Sequence, residues 1–219
     1  MEMSTTTTGA LTVTGEGQVR ATPDRATLNL GVLTQGKAAQ RAVEENAEIA
    51  SRVIAAIKAL GIPSEDLRTV GLNISPIQDY DEKSPTYGQI LGYRVEDRVS
   101  VEAPVGMAGK VLDTGVSAGA NVGGNLSFGF ADEGALRRQA LQGAVQAARR
   151  DAEVVANAMG VTIVGARTAE VLHGGAPSIV RGAMVEKAMA TPIEPGSLTL
   201  SASVRMVFDY REGAPGKPA

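Results

Sequence analysis

The 219-residue chain is 43% hydrophobic and 21% charged, and its 24 acidic and 21 basic side chains leave a formal charge of −3. This is the composition of a globular, soluble chain, long enough to bury a sizeable core, with no electrostatic reason to take nucleic acid or an anionic membrane as partner. It has no cysteine, which removes disulfides, thiolate nucleophiles and thiolate metal sites together, and no apolar run approaches the roughly 18 residues of a membrane-spanning helix.

Residues 1–9 form a polar, Thr-rich lead and 211–219 a Gly/Pro-rich tail, both expected to be disordered around one domain over 10–210. The start "MEMSTTTTGA" has neither a basic nor an apolar leader region. It fits a cytosolic start, or an exported chain whose leader has been replaced.

Leu11–Arg20 has β character, a turn follows at Pro23-Asp24, and Ala26, Leu28, Leu30 and Val32 alternate with polar residues. The two segments are expected to pair as a hairpin. From Lys37 to Leu60 the apolar positions Val43, Ala47, Ala50, Val53 or Ile54, Ile57 and Leu60 take helical spacing, and Gly61 with Pro63 ends the helix. Leu67–Ile77 and Ile90–Glu102 read as two antiparallel strands joined by the polar loop "QDYDEKSPTYG".

A short helix over Met107–Ala118 precedes the strand "GGNLSFGFAD", whose Asp132 is placed to cap a helix from Glu133 to Met159. In that helix Ala140, Ala144, Ala148 and Ala152 form an i,i+4 row, small enough to let the helix approach a sheet closely, or simply good helix formers. Gly160 stops it, Val161–Leu172 is a strand, 173–194 is a Gly/Pro/Met-containing excursion suited to a subunit contact, and Leu198–Tyr210 alternates as a clear strand. The order β-β-α-β-β-α-β-α-β-β, with two long helices, predicts an α+β fold with a largely antiparallel sheet. The similar endings "KALGIPSEDLRTVGL" and "NAMGVTIVGARTAEV" hint at two related β-α-β sub-units.

Few residues offer chemistry. Gly15-Glu16-Gly17 begins like a dinucleotide loop, but Arg20 stands where the third glycine belongs and the chain runs into a strand rather than a helix. A β-bulge or a close strand approach explains the glycines better. His173, the only histidine, would have to serve any Ser-His-Asp triad, yet no Gly-x-Ser-x-Gly elbow accompanies it. Asp79, Asp81 and Glu82 lack the spacing of an EF-hand loop and read as a solvated turn. Arg137, Arg138, Arg149 and Arg150 alternate with Glu133, Asp151 and Glu153, the pattern of a solvated helix face. Met184 and Met189, with Met159 and Met206 elsewhere, allow a copper-binding or oxidant-scavenging role, but packing is the simpler reading. No catalytic residue, cofactor or metal ligand is assigned from these residues.

The ordered pieces "TVTGEGQVRATPDRATLNLGV", "ALGIPSEDLRTVGLNISPIQDY", "GYRVEDRVSVEA", "VLDTGVSAGANVGGNLSFGFAD", the Ala-rich helix with "AMGV", and "TPIEPGSLTLSASVRMVFDY" resemble the SIMPL-domain family of periplasmic immunogenic and oxidative-stress-associated bacterial proteins. The resemblance runs from about Leu11 to Tyr210. It implies an α+β fold, a periplasmic or cell-surface location, and in some members a large ring- or barrel-like homo-oligomer; it implies no catalytic residues. The chain is therefore expected to be a non-enzymatic envelope protein whose main partner is itself, alongside unknown envelope proteins, with a scaffold or stress-protective role. A hydrolase built on His173, or a small-ligand or metal-binding module, is the alternative.

Overall fold

The computed structural model describes residues 8–172, 178–180 and 193–212. Along the chain the elements are β1 (Thr8–Ala21), β2 (Arg25–Gly36), α1 (Ala39–Ala59), β3 (Leu67–Gln78), β4 (Ile90–Pro104), α2 (Ala108–Ala118), β5 (Val122–Gly129), α3 (Glu133–Met159), β6 (Val161–Leu172), β7 (Ser178–Val180) and β8 (Ser197–Glu212). The fold is α+β, with every strand pair antiparallel. β7 is a three-residue strand inside the stretch expected to be an excursion.

Two compact units make up the chain. In the first, β1, β8 and β6 lie in that order, with β7 also paired to β8, and α3 lies across β1 and β8. β1 and β8 pair without a register shift from Thr8↔Arg211 to Ala21↔Leu198. The hairpin expected between β1 and β2 is therefore not formed: β1 takes the last strand as its partner, while β2 pairs with β4 and β5. Local alternation defines a strand but carries no information about a partner nearly 200 residues away.

The second unit holds the sheet β3-β4-β2-β5. α1 lies across β2 and β4, and α2 packs against α1 and β2. Its core joins Leu28, Leu30 and Val32 of β2, Val99, Val101 and Ala103 of β4, and Ala50, Val53 and Ile57 of α1. The buried face of α1 runs through Ala42 and Asn46, whereas Val43 is half-buried and Ala47 exposed. Asn46 explains the offset: its Nδ2 donates to Val32 O at 2.8 Å and to Val95 O at 3.2 Å, pinning helix to sheet. Thr34 Oγ1 donates to Ala42 O at 2.8 Å one turn earlier.

α3 begins with the expected cap, Asp132 Oδ1 accepting from Ala135 N at 2.8 Å, and ends at Gly160 in the left-handed conformation (φ 71°). Its buried residues are Ala140, Ala144, Ala148, Ala152 and Ala156. Both readings of the alanine row hold, since it forms the helix and it permits the close approach described next.

Candidate functional site

Gly15 and Gly17 lie in β1 beneath α3. A Cβ on Gly15 would collide with Ala144 O, Ala148 N and the Ala148 methyl; one on Gly17 would collide with Ala140 O and the backbone of Gly143 and Ala144. The strand continues unbulged through both positions. Of the two explanations expected, the bulge is absent, and the close approach is to the backbone of a helix rather than to another strand. The Gly-x-Gly is thus half of a packing device whose other half is the alanine row of α3.

Asp79 is the hub of the loop joining β3 and β4. Its carboxylate accepts from Thr86 Oγ1 at 2.6 Å and from Asp81 N at 3.0 Å, while its backbone exchanges bonds with Gln89 and Gly88. Hydrogen bonds from Ser84 and Thr86, aided by the Asp81 amide, hold the Asp79 carboxyl below its ordinary value. Asp81 Oδ1 in turn accepts from Lys83 N at 3.0 Å. The acidic group folds its own loop, and among the described residues no cluster of three or more histidines or carboxylates is placed to hold a metal ion.

Arg137, Arg138, Arg149 and Arg150 are exposed on α3, as the mixed-charge pattern predicts, and Arg149 pairs with Glu153 at 3.1 Å one turn away. Met159 is half exposed at the end of α3, whereas Met206 is buried under the helix with Val204 and Phe208. His173, Met184 and Met189 lie outside the described residues.

Two features were not anticipated from the sequence. The first is an open trough of about 530 Å³ between α3 and β6. Ile163, Met206 and Phe208 floor it, and Val145, Arg149 and Asn157 form the helix wall. It arises because one helix, about 10 Å wide, spans only two strands spaced about 4.8 Å apart. α3 covers β1 and β8 and leaves the helix-side face of β6, with Ile163, Ala166, Ala169 and Val171, largely open. A shallower stretch along the same helix is lined by Leu141, Val145, Val171 and Val204. Only tertiary placement joins these residues.

The second feature is the tip of the β3–β4 hairpin. β2 pairs with β4 only from Tyr93 onward, so residues 77–91 run past the end of β2. There Tyr80, Tyr87, Ile90 and Leu91 are 51–77% exposed. The Tyr80 hydroxyl donates to Gln78 Oε1 at 2.7 Å, which restrains the ring. Two tyrosines in one loop of a chain with only 3% aromatic residues were the available signal.

Inside the second unit, Asp97 lies on the core-facing side of β4, between Val95 and Val99 and opposite Val32. Burial raises its carboxyl above the ordinary value, opposed by a hydrogen bond from the Arg98 amide. One oxygen of Asp97 and the side-chain oxygen of Asn46 are buried without a hydrogen-bond partner.

Two helix-backed antiparallel sheets, with the charged and glycine motifs engaged in turns, caps and packing, define an α+β protein. The chain belongs to the SIMPL family: the family model, described as "Protein of unknown function (DUF541)", matches residues 11–208. A 26 kDa periplasmic immunogenic protein of Brucella melitensis biotype 1 is 35% identical over 222 residues, covering 94% of this chain and 87% of the relative. The protein of the same name from Brucella abortus (strain S19) is similar to the same extent.

Proposed function

We propose that this protein is a non-enzymatic component of the bacterial envelope, in the periplasm or at the cell surface, that self-assembles and serves as a scaffold or stress-protective factor. The observation that carries the reading is the 35% identity, over 94% of the chain, to relatives named as periplasmic immunogenic proteins. The open apolar face of β6 supports the assembly part, because contiguous exposed apolar surface of this kind marks interaction sites. A stress-protective role would work without thiols, leaving methionine as the oxidisable sulfur.

Fractionation of the native bacterium and mass photometry of the purified protein test the two halves. The expected result is protein released with the periplasmic contents or held at the cell surface, and a discrete oligomer at micromolar concentration. Recovery with the cytoplasm overturns the envelope assignment, and a monomer at every concentration overturns self-assembly.

A further inference from the structure

The hairpin tip of the second unit and the trough of the first have complementary chemistry. The tip presents exposed aromatic and aliphatic side chains on a loop already fastened by Asp79, so little conformational freedom is lost on docking. Around them stand three carboxylates, Asp79, Asp81 and Glu82, against one ammonium, Lys83. The trough offers the converse: an apolar floor of Ile163, Met206 and Phe208, and a cation at its rim. Arg149 there has three-quarters of its side chain in solvent, and Glu153, which also lines the trough, engages it through Nε alone, so its other guanidinium N–H donors are not used by that pair. Tyrosine is the residue type most suited to such a surface, filling an apolar hollow with its ring while its hydroxyl stays hydrogen-bonded.

We propose that the β3–β4 hairpin tip of one copy docks into the α3–β6 trough of a second copy, with Tyr80 and Tyr87 over the apolar floor and an acidic side chain of the tip at Arg149. This rests on the self-assembly reading above and gives it a surface. The contact joins two unlike surfaces, so it closes as a reciprocal two-fold dimer or passes from copy to copy until a ring closes or a filament grows.

The test uses two full-length variants, Tyr80→Ser with Tyr87→Ser at the tip, and Val145→Glu with Val164→Glu at the trough. All four positions are at least 40% exposed, so neither pair of changes touches a buried core residue. In mass photometry each variant alone is expected to fall to monomer, its assembly constant weakened by at least roughly tenfold. An equimolar mixture is expected to form a one-to-one dimer and nothing larger, because one intact tip and one intact trough remain between them. Dimer formation also demonstrates that both variants are folded. A wild-type oligomer whose assembly survives either pair of changes overturns the docking mode while leaving self-assembly intact, and so does a mixture that stays monomeric. A monomeric wild type overturns both.

Discussion

Gly15 and Ala148 meet where β1 passes under α3, at a separation that leaves no room for a methyl group on the glycine. The same holds for Gly17 against the Ala140 carbonyl two turns earlier. Because the obstruction is helix backbone, a side chain here displaces the whole of α3. Gly17→Ala is expected to destabilise the protein by about 3 kcal/mol, at the upper end of ordinary overpacking. Gly143→Ala, whose new methyl would meet Gly17 Cα at an ordinary 3.5 Å, is expected to be neutral or to stabilise by up to about 1 kcal/mol through helix propensity. Urea unfolding of the two variants beside wild type checks the contrast.

Asp97 makes the stability depend on pH. Its folded-state value is raised, so the fold is unpenalised below the ordinary carboxylate value and loses stability as pH rises through the raised one. Asp97→Asn is expected to raise Tm at pH 7, with the advantage shrinking as pH falls toward about 4. Thermal unfolding of both proteins across that range measures it; a constant difference would contradict the assignment.

Asp79 acts in the opposite sense and locally. Its lowered value means that its contribution to the loop is present above the ordinary carboxylate value and fades as pH falls through the folded one. Asp79→Ala is expected to speed amide exchange at Asp81 and Gly88 while leaving global Tm unchanged, because only the hairpin tip depends on those bonds. Hydrogen exchange resolved by residue reads both parts.

Asp132 caps α3 through a single bond to the Ala135 amide. Asp132→Ala is expected to cost about 1 kcal/mol, and Asp132→Asn to recover most of it, since either side chain supplies the accepting oxygen. Denaturant titration of the pair separates the cap from the charge.

Where a residue's role is local, the sequence was an adequate guide. The bounds of α3 and its cap follow from Asp132, the alanine spacing and Gly160, and the strand character of β8 follows from its alternation. Roles set by distant partners were not legible. Nothing in Val13–Gly17 indicates that its neighbours are Met206–Ala202, and adjacency in sequence pointed wrongly to β2. The trough escaped for the same reason, since Val145, Ile163 and Phe208 share no pattern until α3 is laid across the sheet. Asn46 was hidden differently: a polar residue on a buried helix face breaks the apolar periodicity, and only its bonds to Val32 and Val95 make sense of it.

The pairing of the first strand with the last also orders events in time. Among the described strands β1 is made first, yet its partner β8 is made last. The intervening unit has all its strands and both its helices available long before then, and domains generally fold as they emerge. The first unit therefore completes only once β8 has been made, and β1 waits until then for its native partner. A chain ended before β8 would keep the strands and helices of Pro23–Ala131 and lose the pairing of β1, and with it the helix-and-sheet platform on which the glycine and alanine rows meet.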